Sequence, residues 1–228
     1  AMHKALVTFS SSFHSVLFAR AKPAAFAVVT DLLAQAVGVQ RLDLTDGKAA
    51  NPIKLPFAAL PNDVDDNGEW MVTRSDIFVN PGQSSQVSVL KIGATSLEHR
   101  RTWNPTPPAD SGFGQGASSN QPPAYAKFVS PDRVLTVCSP GNMTLWDSSK
   151  GKAIYTLDIG INTLPALSPG RRHLAVIAND SVWVLDALTG RVLGKLPGEG
   201  GWNTELSFRP DGQQLAAMSH NRLIVWNL

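Results

Sequence analysis

The stretch "NDVDDNGEW", which begins at Asn62, has side chains spaced as in a metal-binding loop. Oxygen ligands occupy alternate positions before Gly68, as in the first half of the calcium signature D-x-[DN]-x-[DN]-G: Asp63, Asp65 and Asn67. A complete loop of this kind has glutamate at its twelfth position, where this chain has Arg74. Asp, Asn and Gly also form turns without a metal. We therefore expect a bare turn and no cofactor; a calcium ion in the 63–68 loop is the alternative.

Other residue patterns that could perform chemistry are incomplete. Three alternating glycines lie in a Pro/Gly/Ser-rich segment, 104–124, but no helix follows to complete a phosphate site: Gly112, Gly114 and Gly116. The five histidines lack the spacing of a zinc site, and no Gly-x-Ser-x-Gly nucleophile motif is present. The sequence therefore predicts a protein that is not an enzyme.

The charge and composition of the chain limit the kinds of partner that we expect. The chain has 228 residues and a net charge of +2, which gives no strong field to attract nucleic acid or an anionic membrane. Apolar runs fall short of the roughly 18 residues that a membrane-spanning helix needs. Cys138 is the only cysteine, so an intramolecular disulfide is impossible. We expect protein partners, no nucleic acid, no membrane and a cytoplasmic location.

An internal repeat is the main signal in the sequence. The segments "RLDLTDGK", "LWDSSKGK" and "VLDALTGR" each have an Asp followed four residues later by Gly and then by Lys or Arg. The chain ends on a related "LIVWNL", and Lys91 stands where a second unit should have its Asp. The Gly is expected at positive φ in a turn between two strands. The residues of the repeat are Asp43, Gly47, Trp146, Asp147, Gly151, Trp183, Asp186, Gly190 and Trp226.

A second turn precedes each of the last three units. It reads "SPDR", "SPGR" and "RPDG", and "DDNGEW" falls at the same place in the second unit. Proline presets φ in such turns, and Asp or Gly closes them. Short apolar runs such as "HLAVIA" then predict buried strands. Four antiparallel strands in about 40 residues are typical of one propeller blade.

A repeat of this length ending in Trp-Asp resembles the WD-repeat β-propeller family, which implies an all-β fold of four-stranded antiparallel blades. The chain lacks the Gly-His pair of that family, so the buried His–Ser/Thr–Trp–Asp network of the family is incomplete here. Asp180 is the residue that matches the Asp of that network.

The pattern predicts a single β-propeller domain over 1–228 with five blades. They average about 46 residues, close to the ~40–45 residues of such repeats. A strand at 4–9, "KALVTF", is expected to complete the last blade and close the ring of a monomer. The alternative is a fragment of a larger propeller that forms a dimer. The blades are 16–56, 57–104, 125–160, 161–201 and 202–228, with 104–124 as a loop insert.

The resemblance implies a non-catalytic protein-interaction scaffold, which we expect to be a module of a larger protein. The long segments 74–85 and 104–124 should project from one face. Their aromatic residues are the candidates for partner binding, although Trp103 could instead pack between blades: Phe78, Trp103 and Phe113. The alternative is a propeller enzyme or ligand-binding domain that uses the central channel, with calcium at 63–68.

Overall fold

The computed structural model of the chain describes residues 13–31, 36–56, 59–75, 85–106, 123–138, 141–159, 164–178, 181–197, 204–219 and 222–228. Within these ranges every regular element is a β-strand, and the strands form five antiparallel sheets. No helix in the described part of the chain could therefore cross a membrane. The prediction of an all-β fold built from small antiparallel sheets is confirmed.

The chain divides into two compact units, Ala1–Asn104 and Pro105–Leu228. The first unit contains two four-stranded sheets, in each of which neighbouring strands follow one another along the chain. Sheet 1 contains β1 (Phe13–Ala19), β2 (Ala24–Asp31), β3 (Ala36–Asp43) and β4 (Ile53–Lys54). Sheet 2 contains β5 (Ala59–Val64), β6 (Trp70–Ser75), β7 (Val87–Ile92) and β8 (Leu97–Trp103).

The second unit contains three more sheets with the same sequential order. Sheet 3 contains β9 (Tyr125–Ser130), β10 (Arg133–Cys138), β11 (Asn142–Asp147) and β12 (Lys152–Asp158). Sheet 4 contains β13 (Ala166–Leu167), β14 (His173–Ala178), β15 (Ser181–Asp186) and β16 (Val192–Leu196). Sheet 5 has three described strands, β17 (Glu205–Phe208), β18 (Gln214–Ser219) and β19 (Arg222–Asn227).

The strand expected at 4–9 lies outside the described residues. Its pairing with β19, the closure of the five sheets into one ring and the single domain over 1–228 stay predictions.

The central hairpin has the same register in all five sheets. The first residue of the second strand pairs with the Asp, or its replacement, near the end of the third strand. These pairs are Ala24–Asp43, Trp70–Lys91, Arg133–Asp147, His173–Asp186 and Gln214–Asn227. Because a one-residue slip would turn every side chain to the other face of the sheet, this shared register makes the five sheets equivalent repeats.

A backbone hydrogen bond beside each of these pairs is also repeated five times. The residue after the Asp position donates its amide to the carbonyl of the residue before the second strand. The five donors and acceptors are Leu44–Pro23 and Ile92–Glu69 at 2.8 Å, and Ser148–Asp132, Ala187–Arg172 and Leu228–Gln213 at 2.9 Å. The bond closes that end of each central hairpin.

The cores lie between neighbouring sheets within each unit. In the first unit Phe26 of sheet 1 packs with Met71 of sheet 2. In the second unit Leu145 of sheet 3 packs with Leu174 of sheet 4. The apolar runs of β10 and β14 are buried after their first residue, as their composition predicts.

Candidate functional site

The three Asp-to-Gly turns of the repeat have one construction. Each Asp carboxylate accepts a hydrogen bond from the amide two residues later, at 2.7 Å for Asp43, 3.0 Å for Asp147 and 3.1 Å for Asp186. Each Gly amide donates to the carbonyl of its Asp. The predicted positive φ of the glycines is confirmed, with values of 73°, 64° and 70° at Gly47, Gly151 and Gly190.

The electrostatics of these turns favour the ionised carboxylate. A hydrogen bond from the Ser149 hydroxyl is the main cause that lowers the pKa of Asp147 to about 2. The corresponding hydroxyl of Thr189 lowers the pKa of Asp186, and the Thr45 amide lowers the pKa of Asp43. These carboxylates are therefore charged at neutral pH and are held by the hydrogen bonds of their own turns.

The stretch at 65–70 is a turn between β5 and β6, as the repeat predicts. The buried Asp65 carboxylate accepts the amides of Glu69 at 2.7 Å and Trp70 at 2.8 Å. Gly68 has a φ of 65°, and its amide donates to the carbonyl of Asp65 at 3.0 Å. Asp63 lies in β5, where it pairs with Val72 beside a bulge. One carboxylate oxygen of Asp65 therefore accepts both hydrogen bonds from the backbone of its own turn.

A buried polar contact links two strands of sheet 3. The indole nitrogen Nε1 of Trp146 donates a 2.8 Å hydrogen bond to Oγ1 of Thr136. Both residues are buried. The resemblance to WD repeats implies a Ser/Thr–Trp contact of this kind, and the Trp was singled out from the sequence while Thr136 was not. Alignment of the second strands would have found it, because Thr73 has the same place in sheet 2.

Sheets 2, 4 and 5 differ from sheet 3 at the positions of this contact. In sheet 2 Leu90 takes the place of the Trp, and the buried hydroxyl of Thr73 makes no hydrogen bond to described residues. In sheet 5 Trp226 donates instead to the carbonyl of Pro197 at 3.0 Å. Trp183 lies two residues earlier in its strand than Trp146 does, with the Lys195 ammonium 4.2 Å from its ring centroid.

An arginine closes the first turn of sheet 4. Arg171 has a φ of 56° and takes the place of Gly212 in sheet 5, with φ of 74°. Each residue donates its amide to the carbonyl three positions earlier, at 2.8 Å. The Arg171 side chain is buried and donates to the carbonyl of Phe128 in sheet 3. Arg171 was not among the residues singled out from the sequence, although aligning "SPGRRH" with "RPDGQQ" places it at the glycine position.

The candidate partner-binding residues are not brought together within the described residues. Trp103 ends β8 and is only 8% exposed, a packing position of the kind proposed as its alternative role. Phe78, Phe113 and Asp180 lie outside the described residues. The partner-binding roles of Phe78 and Phe113 stay predictions.

A similarity to a known protein covers about half of the chain. No family model matches the chain. The chain is 28% identical over 120 residues to the U3 small nucleolar RNA-associated protein 21 homolog of Schizosaccharomyces pombe. This match covers 51% of the present chain and 13% of the relative, so it spans about an eighth of that protein. Together with the five antiparallel sheets it fits a WD-repeat architecture loosely.

Proposed function

We propose that this chain is a non-catalytic, WD-repeat-like module that binds other proteins. The observation that carries the proposal is the common register of the five central hairpins, each closed by the same backbone hydrogen bond. A scaffold of equivalent sheets keeps its strands fixed while the connecting segments vary, and binding function is concentrated in such segments.

The similarity to the yeast protein supports the same class of function. Its name records association with a small nucleolar RNA, and the matched region is a small part of it. From this similarity we propose only that the repeats of the present chain form part of a larger assembly. Protein partners, a monomeric state and a cytoplasmic location are parts of this proposal that need their own tests.

The segment between β6 and β7 is one place where we expect a partner to bind. Its two ends are joined, because the amide of Ser75 donates to the carbonyl of Gln86 at 2.9 Å. The amide of Gln86 donates in turn to the Ser75 hydroxyl at 2.9 Å. Residues 76–84 can therefore be replaced without opening the hairpin at its base.

The segment between β8 and β9 is the second place. Two neighbouring residues of β10 hold its ends: the Cys138 thiol contacts the carbonyl of Pro105 at 3.5 Å, and the carbonyl of Val137 accepts the amide of Ala124 at 2.9 Å. Changing the length of a segment whose ends are already fixed costs little free energy, since closure entropy varies slowly with length.

The test replaces 76–84 or 107–122 with Gly-Ser segments of equal length, which keep the connection and remove the side chains. Proteins captured by chemical cross-linking to the full chain are identified, purified and titrated against each variant by calorimetry. We expect at least one replacement to weaken binding of a purified partner roughly tenfold or more, as loss of an anchor residue does. Unchanged affinity in both variants would contradict the role of these segments, and no purified partner binding the full chain would contradict the proposed function.

A further inference from the structure

A pocket of about 170 Å³ opens between sheets 1 and 2 in the first unit. Its floor consists of buried side chains of sheet 1, and Ile92 and Leu97 of sheet 2 form part of its wall. The floor residues are Phe26, Val39 and Ile53. The exposed Arg41 also borders the pocket and places a cation at its rim.

The pocket lies beside the outer strand of sheet 1, which has the same register as the outer strand of sheet 3. Ile53 pairs with Val39 as Leu157 pairs with Met143. The amide of Ala50 donates to the carbonyl of Arg41 at 2.8 Å and holds these two residues together at the rim of the pocket.

Small residues of sheet 2 keep the opposite side open. Gly93 and Ala94 border the pocket in the turn between β7 and β8. A Cβ at Gly93 would lie 2.9 Å from the carbonyl oxygen of Ser96, so the turn itself requires glycine there. These two small residues leave the gap beside sheet 1 unfilled.

The size and lining of the pocket suit one apolar side chain. A cavity of about 150 Å³ lined by aliphatic and aromatic residues accepts a benzene-sized guest, whereas drug-sized ligands need roughly 300 Å³ or more. The positive charge of Arg41 at the rim favours a negatively charged group next to that apolar side chain. Arg41 forms no salt bridge with the described residues, and the Asp43 carboxylate accepts the Thr45 amide at 2.7 Å. The Arg41 charge is the smallest of the causes that lower the pKa of Asp43.

We propose that this pocket binds an apolar side chain of a protein partner that carries a carboxylate next to it, with Arg41 as the group that recognises the carboxylate. An acidic neighbour residue or a chain terminus supplies the same chemistry. The inference deepens the proposed interaction function and rests on it, since it names the kind of partner residue that one surface of the first unit takes.

The test uses small probes that represent this chemistry, titrated into the full chain with NMR detection of the methyl groups of Ile53, Ile92 and Leu97. The first probe is 4-methylpentanoate, which has an isobutyl group and a carboxylate. Its neutral counterpart is 4-methylpentanamide, and acetate supplies the charge without the apolar body. Two variants accompany them: Arg41→Gln removes the cation, and Ala50→Trp fills the mouth of the pocket from an exposed position.

We expect 4-methylpentanoate to bind more tightly than either control probe. Loss of a charged hydrogen bond in Arg41→Gln should weaken its binding roughly tenfold, and Ala50→Trp should abolish the methyl shifts while the melting temperature is retained. Equal affinity for the acid and the amide, or unchanged shifts in Ala50→Trp, would overturn the inference. Binding of purified partners that persists in Ala50→Trp would leave the interaction function intact and remove only this pocket from it.

Discussion

The indole N–H of Trp146 donates a buried hydrogen bond of 2.8 Å to the Thr136 hydroxyl in sheet 3. Among the described central hairpins, no other buried indole donates to a hydroxyl group in this way. Replacing Thr136 with Val keeps the shape of the side chain and leaves the indole N–H without its acceptor. Because a buried unpaired donor costs roughly 1–3 kcal/mol, Thr136→Val should lower the free energy of unfolding by about that amount in urea titrations.

Thr73→Val is the matched control for this prediction. Thr73 has the position of Thr136 in sheet 2, but its buried hydroxyl makes no hydrogen bond to described residues. Removing an unpaired hydroxyl should be neutral or stabilising. Similar destabilisation in both variants would show that the indole–hydroxyl contact contributes nothing specific.

Gly190 tests the turn that follows Asp186. Its φ of 70° strains any other residue, and a Cβ there would lie 3.1 Å from the Tyr155 ring. That ring is fixed, because the Tyr155 hydroxyl donates to the carbonyl of Ala187 at 2.8 Å. Gly190→Ala should therefore cost more than the ~1 kcal/mol that the backbone conformation alone accounts for.

Gly212→Ala separates the cost of the backbone conformation from the cost of the contact with Tyr155. Gly212 has a similar φ of 74°, but a Cβ there meets only Pro169, at 3.8 Å. The cost in urea titrations should be about 1 kcal/mol and smaller than that of Gly190→Ala. Equal costs in the two variants would mean that Tyr155 yields to the added methyl group.

The ionisation of the turn aspartates makes the free energy of unfolding depend on pH. The pKa of Asp147 is lowered from 3.8 to about 2 in the folded chain, so the unfolded chain takes up the proton first as the pH falls. The stabilisation is complete above about pH 5 and is lost progressively between about pH 5 and 2. Asp147→Asn keeps an acceptor for the turn amides but has no titrating group.

The melting temperature of the unsubstituted chain should consequently fall more steeply between pH 5 and 2 than that of Asp147→Asn. Parallel curves would show that the ionisation of Asp147 contributes no stability to the fold.

The sequence predicts the elements whose causes are local. Gly190 and its equivalents are visible because a turn with positive φ requires a residue without a Cβ. The buried contact of the Arg171 side chain was not visible, because its acceptor, the carbonyl of Phe128, is 43 residues away. The pocket beside Arg41 also could not be read from the repeat, since it depends on how side chains of two different sheets pack around it.

Calcium should not stabilise the chain. The Asp65 carboxylate already accepts the amides of Glu69 and Trp70, and a ligand raises the melting temperature only if it binds the folded state. Excess calcium should leave the melting temperature unchanged. A rise of several degrees that disappears in Asp63→Ala would establish the alternative, a calcium site in the 63–68 loop.

Our central proposal is that the repeats form one closed domain in which 4–9 pairs with β19. In sheet 3 the third strand, β11, is buried throughout, whereas in sheet 5 Leu223 of β19 is 68% exposed and Val225 is 52% exposed. Among the described strands β19 pairs only with β18, and an apolar strand with an unpaired edge is prone to pair with another chain. A closing strand and the neighbouring blade would cover it.

Native mass spectrometry of the chain with and without residues 1–10 tests this claim most directly. The account predicts that the full chain is a stable monomer and that the shortened chain aggregates, because terminal residues tied into a sheet are not disposable. A full chain that is an obligate dimer, with a shortened form that remains the same folded dimer, would contradict closure.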